Sequence, residues 1–177
     1  MLSESTLNRI KVYEDGGTQS ELKRLVSRFI RLRPIGRVRC DFSEEEIKKK
    51  RGSIVSEVVI DPPYVAALDG VESYSHLFVI FYMHKVPLKE TRALKVHPRG
   101  RKDVKKVGIF ATRSRNRPNP IGLAVVELLQ KHGNSLKVRA LDALDGTPVL
   151  DIKPYDPIDV QKNVRVPKWW YKIRSSF

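Results

Sequence analysis

A mainly β fold, either an antiparallel sheet or a small barrel, is what this 177-residue sequence predicts. Seven short runs rich in β-branched and aromatic residues lie between Arg33 and Pro154, turn signals separate several of them, and only two stretches carry helical patterning. The length suits one compact domain with short appendages.

The clearer helix comes first. Leu22, Leu25, Val26, Phe29 and Ile30 fall at i, i+3, i+4, i+7 and i+8 and form one apolar stripe over residues 18–33. Thr18 and Glu21 stand at capping-box spacing, Arg24, Arg28 and Arg31 line the other face, and Pro34 ends the run because it has no amide proton and disfavours helix just before it. Arg33–Cys40 and Ile54–Ile60 then read as strands, separated by a charged helical stretch, Ser43–Lys50. His76–Val86 contains no Gly or Pro and is dense in aromatic and β-branched side chains, which suits a central strand. Four further strands are expected at Lys106–Thr112, Gly122–Leu129, Ser135–Asp142 and Val149–Pro154, with turns at Lys131–Asn134 and Asp145–Pro148.

Thirty-four Lys and Arg against twenty Asp and Glu give a net charge of +14, which favours polyanionic partners. The segment from Lys89 to Lys106 holds eight basic residues and two acids, and the tail from Asp156 to Phe177 is basic around Trp169, Trp170 and Tyr171. Cys40 is the only cysteine, so a disulfide framework within the chain and a Cys-x-x-Cys metal or redox pair are both excluded. No apolar stretch approaches the roughly 20 residues of a membrane span, and the first residues lack the apolar region of a secretory signal, so a cytoplasmic location is expected. Glycine-rich dinucleotide and phosphate-loop fingerprints are absent, His76, His84, His97 and His132 lack zinc spacing, and no nucleophilic serine elbow occurs; no metal is expected.

Two clusters carry the polar chemistry. In Gly108-Ile-Phe-Ala-Thr-Arg-Ser-Arg-Asn-Arg-Pro-Asn-Pro-Ile-Gly-Leu123, an extended backbone sets Arg113, Arg115 and Arg117 on one face about 6–7 Å apart, a comb for anions. Pro118 and Pro120 stiffen the turn that holds Asn116 and Asn119. In Leu141-Asp-Ala-Leu-Asp-Gly-Thr-Pro-Val-Leu-Asp-Ile-Lys-Pro-Tyr155, the carboxylates of Asp142, Asp145 and Asp151 suit ribose hydroxyls or a cationic ligand, and equally suit loop amides; residue chemistry leaves both open. His84 and Lys85 end an apolar strand, and Lys48–Arg51 form a charge run before Gly52; each reads as a solvated surface or as a pocket edge.

These two motifs, together with Pro34-Ile-Gly36, Leu68-Asp-Gly-Val71 and Ser75-His-Leu77, resemble the TsaA-like (TrmO) family over residues 30–156. The resemblance implies a small β-barrel, usually dimeric, that binds S-adenosyl-L-methionine without a Rossmann fold and methylates tRNA at N6 of N6-threonylcarbamoyladenosine, next to the anticodon. The chain is expected to be organised as an N-terminal extension (1–33), a barrel (34–155) and a basic aromatic tail (156–177), the extension and the short tail departing from the family pattern. Carried over by motif, cofactor contacts fall on Lys50, Arg51, Gly52, His84, Lys85, Arg113, Arg139 and Asp142, Ala143, Leu144 and Asp145. RNA contacts are expected at Arg99, Arg101, Lys102, Arg115, Arg117 and Asn119 and around Trp169–Arg174. No residue stands out as a general base. A noncatalytic RNA-binding barrel, or a methyltransferase for another acceptor, is the alternative.

Overall fold

The structure, a computed structural model, describes residues 30–50 and 52–174. The helix expected at 18–33 lies for the most part outside the described residues, and residues 30–35 have no regular secondary structure. Residues 34–177 form one compact unit.

Six strands close into an antiparallel barrel. They are β1 (Gly36–Arg39), β2 (Val55–Ile60), β3 (His76–Tyr82), β6 (Ile121–His132), β7 (Ser135–Arg139) and β8 (Pro148–Pro154), arranged β1-β2-β7-β6-β3-β8 with β8 pairing back onto β1. Closure leaves no free sheet edge. The cause is visible in the side-chain alternation: β2 and β3 bury every second residue, so Val58, Ile60, Leu77, Val79 and Phe81 fill the interior with Val38, Val126, Leu136, Val138 and Val149. Gly122 faces Phe81 across the β3–β6 pair, and a Cβ there would collide with the aromatic ring, so this glycine is the space the ring occupies.

Strand directions alternate, and all long connections but one emerge at one rim, hereafter the open rim. They are the β1–β2 connection (40–54) with helix α1 (Glu44–Lys50), the β3–β6 connection (83–120) and the β7–β8 connection (140–147). The opposite rim holds two short 3-10 turns, Pro62–Leu68 and Val71–Ser73, and the tight β6–β7 hairpin at Gly133–Asn134.

The expected strand at Lys106–Thr112 is a correction. Only Val107–Gly108 (β5) is extended, paired with Lys95–Val96 (β4) in a separate two-stranded sheet, and a 3-10 turn follows at Ile109–Ala111. The Thr112 hydroxyl donates to the Ile109 carbonyl at 2.8 Å, a local bond that competes with a sheet ladder. The tail carries a helix that periodicity did not reveal, α2 (Lys168–Arg174), which buries Ile173. Although β8 ends at the opposite rim, Lys172 adds a small charge effect at Asp103, whose carboxylate is held chiefly by Arg101, which places the tail near the 83–120 connection.

Candidate functional site

The open rim gathers residues that lie far apart in the chain. Beyond β7, Ala140 takes a left-handed conformation (φ 70°), donates its amide to the Ile54 carbonyl at 2.8 Å and turns the chain across the barrel mouth. Leu141 and Ala143 then point inward and are buried, while Asp142 and Asp145 are exposed. Gly146 (φ 73°) completes a turn in which the Thr147 amide reaches the Leu144 carbonyl, a conformation that favours glycine. The Asp145 carboxylate accepts from the Cys40 amide at 3.1 Å, fixing the loop to the end of β1. Burial, with the Asp145 and Asp41 charges adding to it, raises the Cys40 thiol above its usual range although a hydrogen bond from the Phe42 amide opposes the shift.

From β3 the chain enters the same rim. The Met83 amide donates to the Pro120 carbonyl at 2.8 Å, which holds both ends of the long connection together. His84 Nδ1 lies 3.5 Å from the hydroxyl of buried Thr147. His84 is exposed at the rim, and its partial desolvation there, with the neighbouring Lys85 charge, lowers its pKa from the ordinary 6.5 while Asp145 pulls the other way.

Helix α1 begins with a capping box: the Glu46 amide donates to the Ser43 hydroxyl, and the Ser43 amide donates to the Glu46 carboxylate at 3.0 Å. At its other end the Lys50 carbonyl accepts from Ser53 and Ile54, and the Lys50 ammonium sits 5.6 Å from the centre of the Phe42 ring. Gly52 is exposed beside β2, and Arg51 lies outside the described residues. Arg139 ends β7 and is bound to Glu127 at 2.6 Å.

The anion comb is the second correction. Residues 112–120 are a series of bends, not a strand. The Ser114 amide donates to the Thr112 hydroxyl and the Asn116 amide to the Ser114 hydroxyl, so side-chain oxygens replace ladder bonds and the strand alternation that would align the three arginines is absent. Arg115 is drawn to Glu44 of α1 at 2.8 Å, and bonds from Lys48, with those from Arg115, hold that carboxyl below its usual range. Arg113 is exposed and makes no hydrogen bond or ion pair among the described residues, and Arg117 is half-buried. The Asn116 Oδ1 atom is buried without a hydrogen-bond partner among the described residues. Further along the connection, Arg99 sits in a turn with a left-handed backbone, Arg101 grips Asp103 through two parallel bonds of 2.7 and 2.8 Å, and Lys102 and Asn119 are exposed.

Rim chemistry thus comprises two exposed carboxylates, an unpaired guanidinium, an imidazole, an orphaned amide oxygen and an apolar floor of Leu141 and Ala143. That donor set fits a zwitterionic nucleoside such as S-adenosyl-L-methionine, which presents a carboxylate, an ammonium, ribose hydroxyls and an apolar stem. Among the described residues no three His, Cys, Asp or Glu side chains cluster as metal ligands, and no helix is long and apolar enough to cross a membrane. Sequence reasoning missed Cys40, Thr147 and Glu44, because their roles depend on partners distant in the chain; the Gly146 turn that positions Thr147 was its one local signal.

Comparison with known proteins agrees with this fold. The family model described as the tRNA-methyltransferase O N-terminal domain matches residues 41–159. A "Probable S-adenosyl-L-methionine-binding protein" of Methanothermobacter thermautotrophicus is 50% identical over 129 residues, 71% of this chain and 90% of its own length. The "tRNA (adenine(37)-N6)-methyltransferase" of Mus musculus is 40% identical over 110 residues, 62% of this chain and 25% of the mouse protein. The crystal structure of TrmO from Pseudomonas aeruginosa superposes with a TM-score of 0.63 at 32% identity, covering 80% of this chain and 62% of that one. Motif, barrel and family match converge on one conclusion: the chain belongs to the tRNA-methyltransferase O family, whose curated members carry names as S-adenosyl-L-methionine-binding proteins and methyltransferases.

Proposed function

We propose that this chain transfers a methyl group from S-adenosyl-L-methionine to N6 of an adenosine in tRNA, the N6-threonylcarbamoyladenosine beside the anticodon, in the cytoplasm. The observation that carries the reading is the joining of His84, Thr147, Asp145 and Cys40 at the open rim, next to a connection (83–120) that holds twelve Lys and Arg and two acids. The cofactor supplies an electrophilic methyl group on a sulfonium. The chain's own work is positioning donor and acceptor in line at contact distance. Arg113 pairs with the methionine carboxylate, and Asp142 and Asp145 take ribose hydroxyls or the amino group. Arg99, Lys102, Arg117 and Asn119 meet the RNA backbone, with Arg101 and Arg115 oriented by Asp103 and Glu44.

Two copies act together. Outside the barrel, Tyr82 faces Ile121, Ile80 faces Leu123 and Phe78 faces Val125, an apolar stripe in which Leu123 is 63% exposed. Six neighbouring positions without Lys or Arg, in a chain of net charge +14, are where two like-charged copies approach at least cost.

The test is methyl transfer from labelled S-adenosyl-L-methionine to tRNA carrying or lacking the threonylcarbamoyl group, with the product nucleoside identified by mass spectrometry. Methylation of the modified tRNA alone is expected. Donor binding with neither tRNA methylated would overturn the acceptor assignment and favour a noncatalytic RNA-binding barrel or another acceptor. Arg113→Ala is expected to weaken donor binding at least tenfold in calorimetry.

A further inference from the structure

Phe110 is a large apolar side chain left 80% exposed in the middle of the cationic connection. Its backbone is not loose. Ile109 is buried and donates its amide to the Leu94 carbonyl at 2.9 Å, the Ile109 carbonyl accepts from both the amide and the hydroxyl of Thr112, and the turn Ile109–Ala111 is thereby pinned at both ends. Leu94, 73% exposed, immediately precedes the adjoining strand pair, where Lys95 faces Gly108. An aromatic ring displayed on an anchored turn has already lost much of the freedom that binding would otherwise remove.

The surroundings select its partner. Lys105, Lys106 and Arg115 lie within five positions of Phe110, a setting that repels a second copy of this chain and attracts phosphates. A nucleobase in single-stranded RNA satisfies both features at once, since its face stacks on the ring while its flanking phosphates meet the cations. On the barrel wall the opposite combination occurs, an apolar stripe bordered by a single lysine, Lys153, that is paired with Asp151.

We infer that Phe110 is the stacking platform for a base of the RNA loop that carries the acceptor adenosine. This inference rests on the reading of the chain as a tRNA methyltransferase and names a substrate contact for it. The probe is an RNA hairpin with 2-aminopurine in its loop, whose fluorescence is quenched by stacking. The native chain is expected to bind and quench it, and Phe110→Ala to bind it about 5- to 150-fold more weakly, the range for one stacked base. Phe110→Trp should restore binding, and calorimetric affinity for S-adenosyl-L-methionine should stay unchanged in both variants. An exposed side chain contributes little to folding, and thermal melting of each variant checks this. Equal affinity and quenching in Phe110→Ala would overturn the inference, as would a change of sedimentation mass, which would assign the ring to contact between copies. Native protein that quenches the probe yet methylates no tRNA would overturn the methyltransferase reading and leave the stacking contact standing; native protein that binds no RNA would overturn both.

Discussion

Asp145 accepts a hydrogen bond at 3.1 Å from the backbone amide of Cys40, a residue 105 positions earlier in the chain. One carboxylate oxygen therefore ties the β7–β8 connection to the exit of β1, and the residue remains exposed at the rim. Asp145→Ala removes both the tie and the exposed carboxylate and is expected to lower stability by about 1–3 kcal/mol, the cost of an unsatisfied buried donor. Asp145→Asn keeps an acceptor for the amide. Urea denaturation should find Asn near the native value while calorimetry finds its affinity for S-adenosyl-L-methionine reduced; equal donor affinity in the Asn variant would confine Asp145 to a structural role.

His84 sets a pH dependence. Its folded pKa lies below the ordinary 6.5, so folding favours the neutral imidazole. The stability this contributes is complete above about pH 6.5 and is lost as pH falls through the lower folded value. Protonation also places a second cation beside Lys85. Melting temperature and donor affinity are both expected to decline on acidification below pH 6.5, and His84→Gln should flatten that part of each profile. Identical profiles for the two proteins would remove His84 as the cause.

Ala140 holds a conformation that costs an L-residue about 1–2 kcal/mol. Replacement by glycine relieves it, at the expense of a more flexible unfolded chain. Ala140→Gly should therefore be neutral or stabilising by up to about 1 kcal/mol in chemical denaturation. A loss of stability would mean that the methyl group's packing outweighs the backbone strain.

Binding of tRNA should weaken with salt, log affinity falling against log concentration by about 0.7 per contacted phosphate in single strands and 0.9 in duplex. Lys102→Ala should lower that slope by about one such unit and weaken binding without preference for sequence. A native slope near zero would contradict a phosphate-contacting role for the 83–120 connection.

The barrel was legible because its strands bury alternate side chains: Val55–Ile60 and His76–Tyr82 display in sequence the period-two pattern that they realise in the fold. Val107–Ala111 looks equally strand-like, and its strand stops after Gly108 because Lys95–Val96 offers only a two-residue partner and the Thr112 hydroxyl takes the Ile109 carbonyl. Site residues were legible as motifs, and their couplings were not. Nothing near Arg115 announces Glu44, 71 positions away, and nothing near His84 announces Thr147, 63 positions on. Such pairs are decided by which loops the closed barrel sends to a common rim.

The returning tail has a practical consequence. From Tyr155 to Pro167 the chain has thirteen residues, a reach of about 43 Å when extended, whereas a seven-residue strand spans roughly 23 Å. Helix α2 thus sits with Lys172 close enough to act on Asp103 although the last strand ended at the far side. A fluorophore carried on α2 would ride beside the cationic connection, turning the end of the chain into an optical reporter of occupancy, and the same dye at the Gly133–Asn134 hairpin would serve as its silent control.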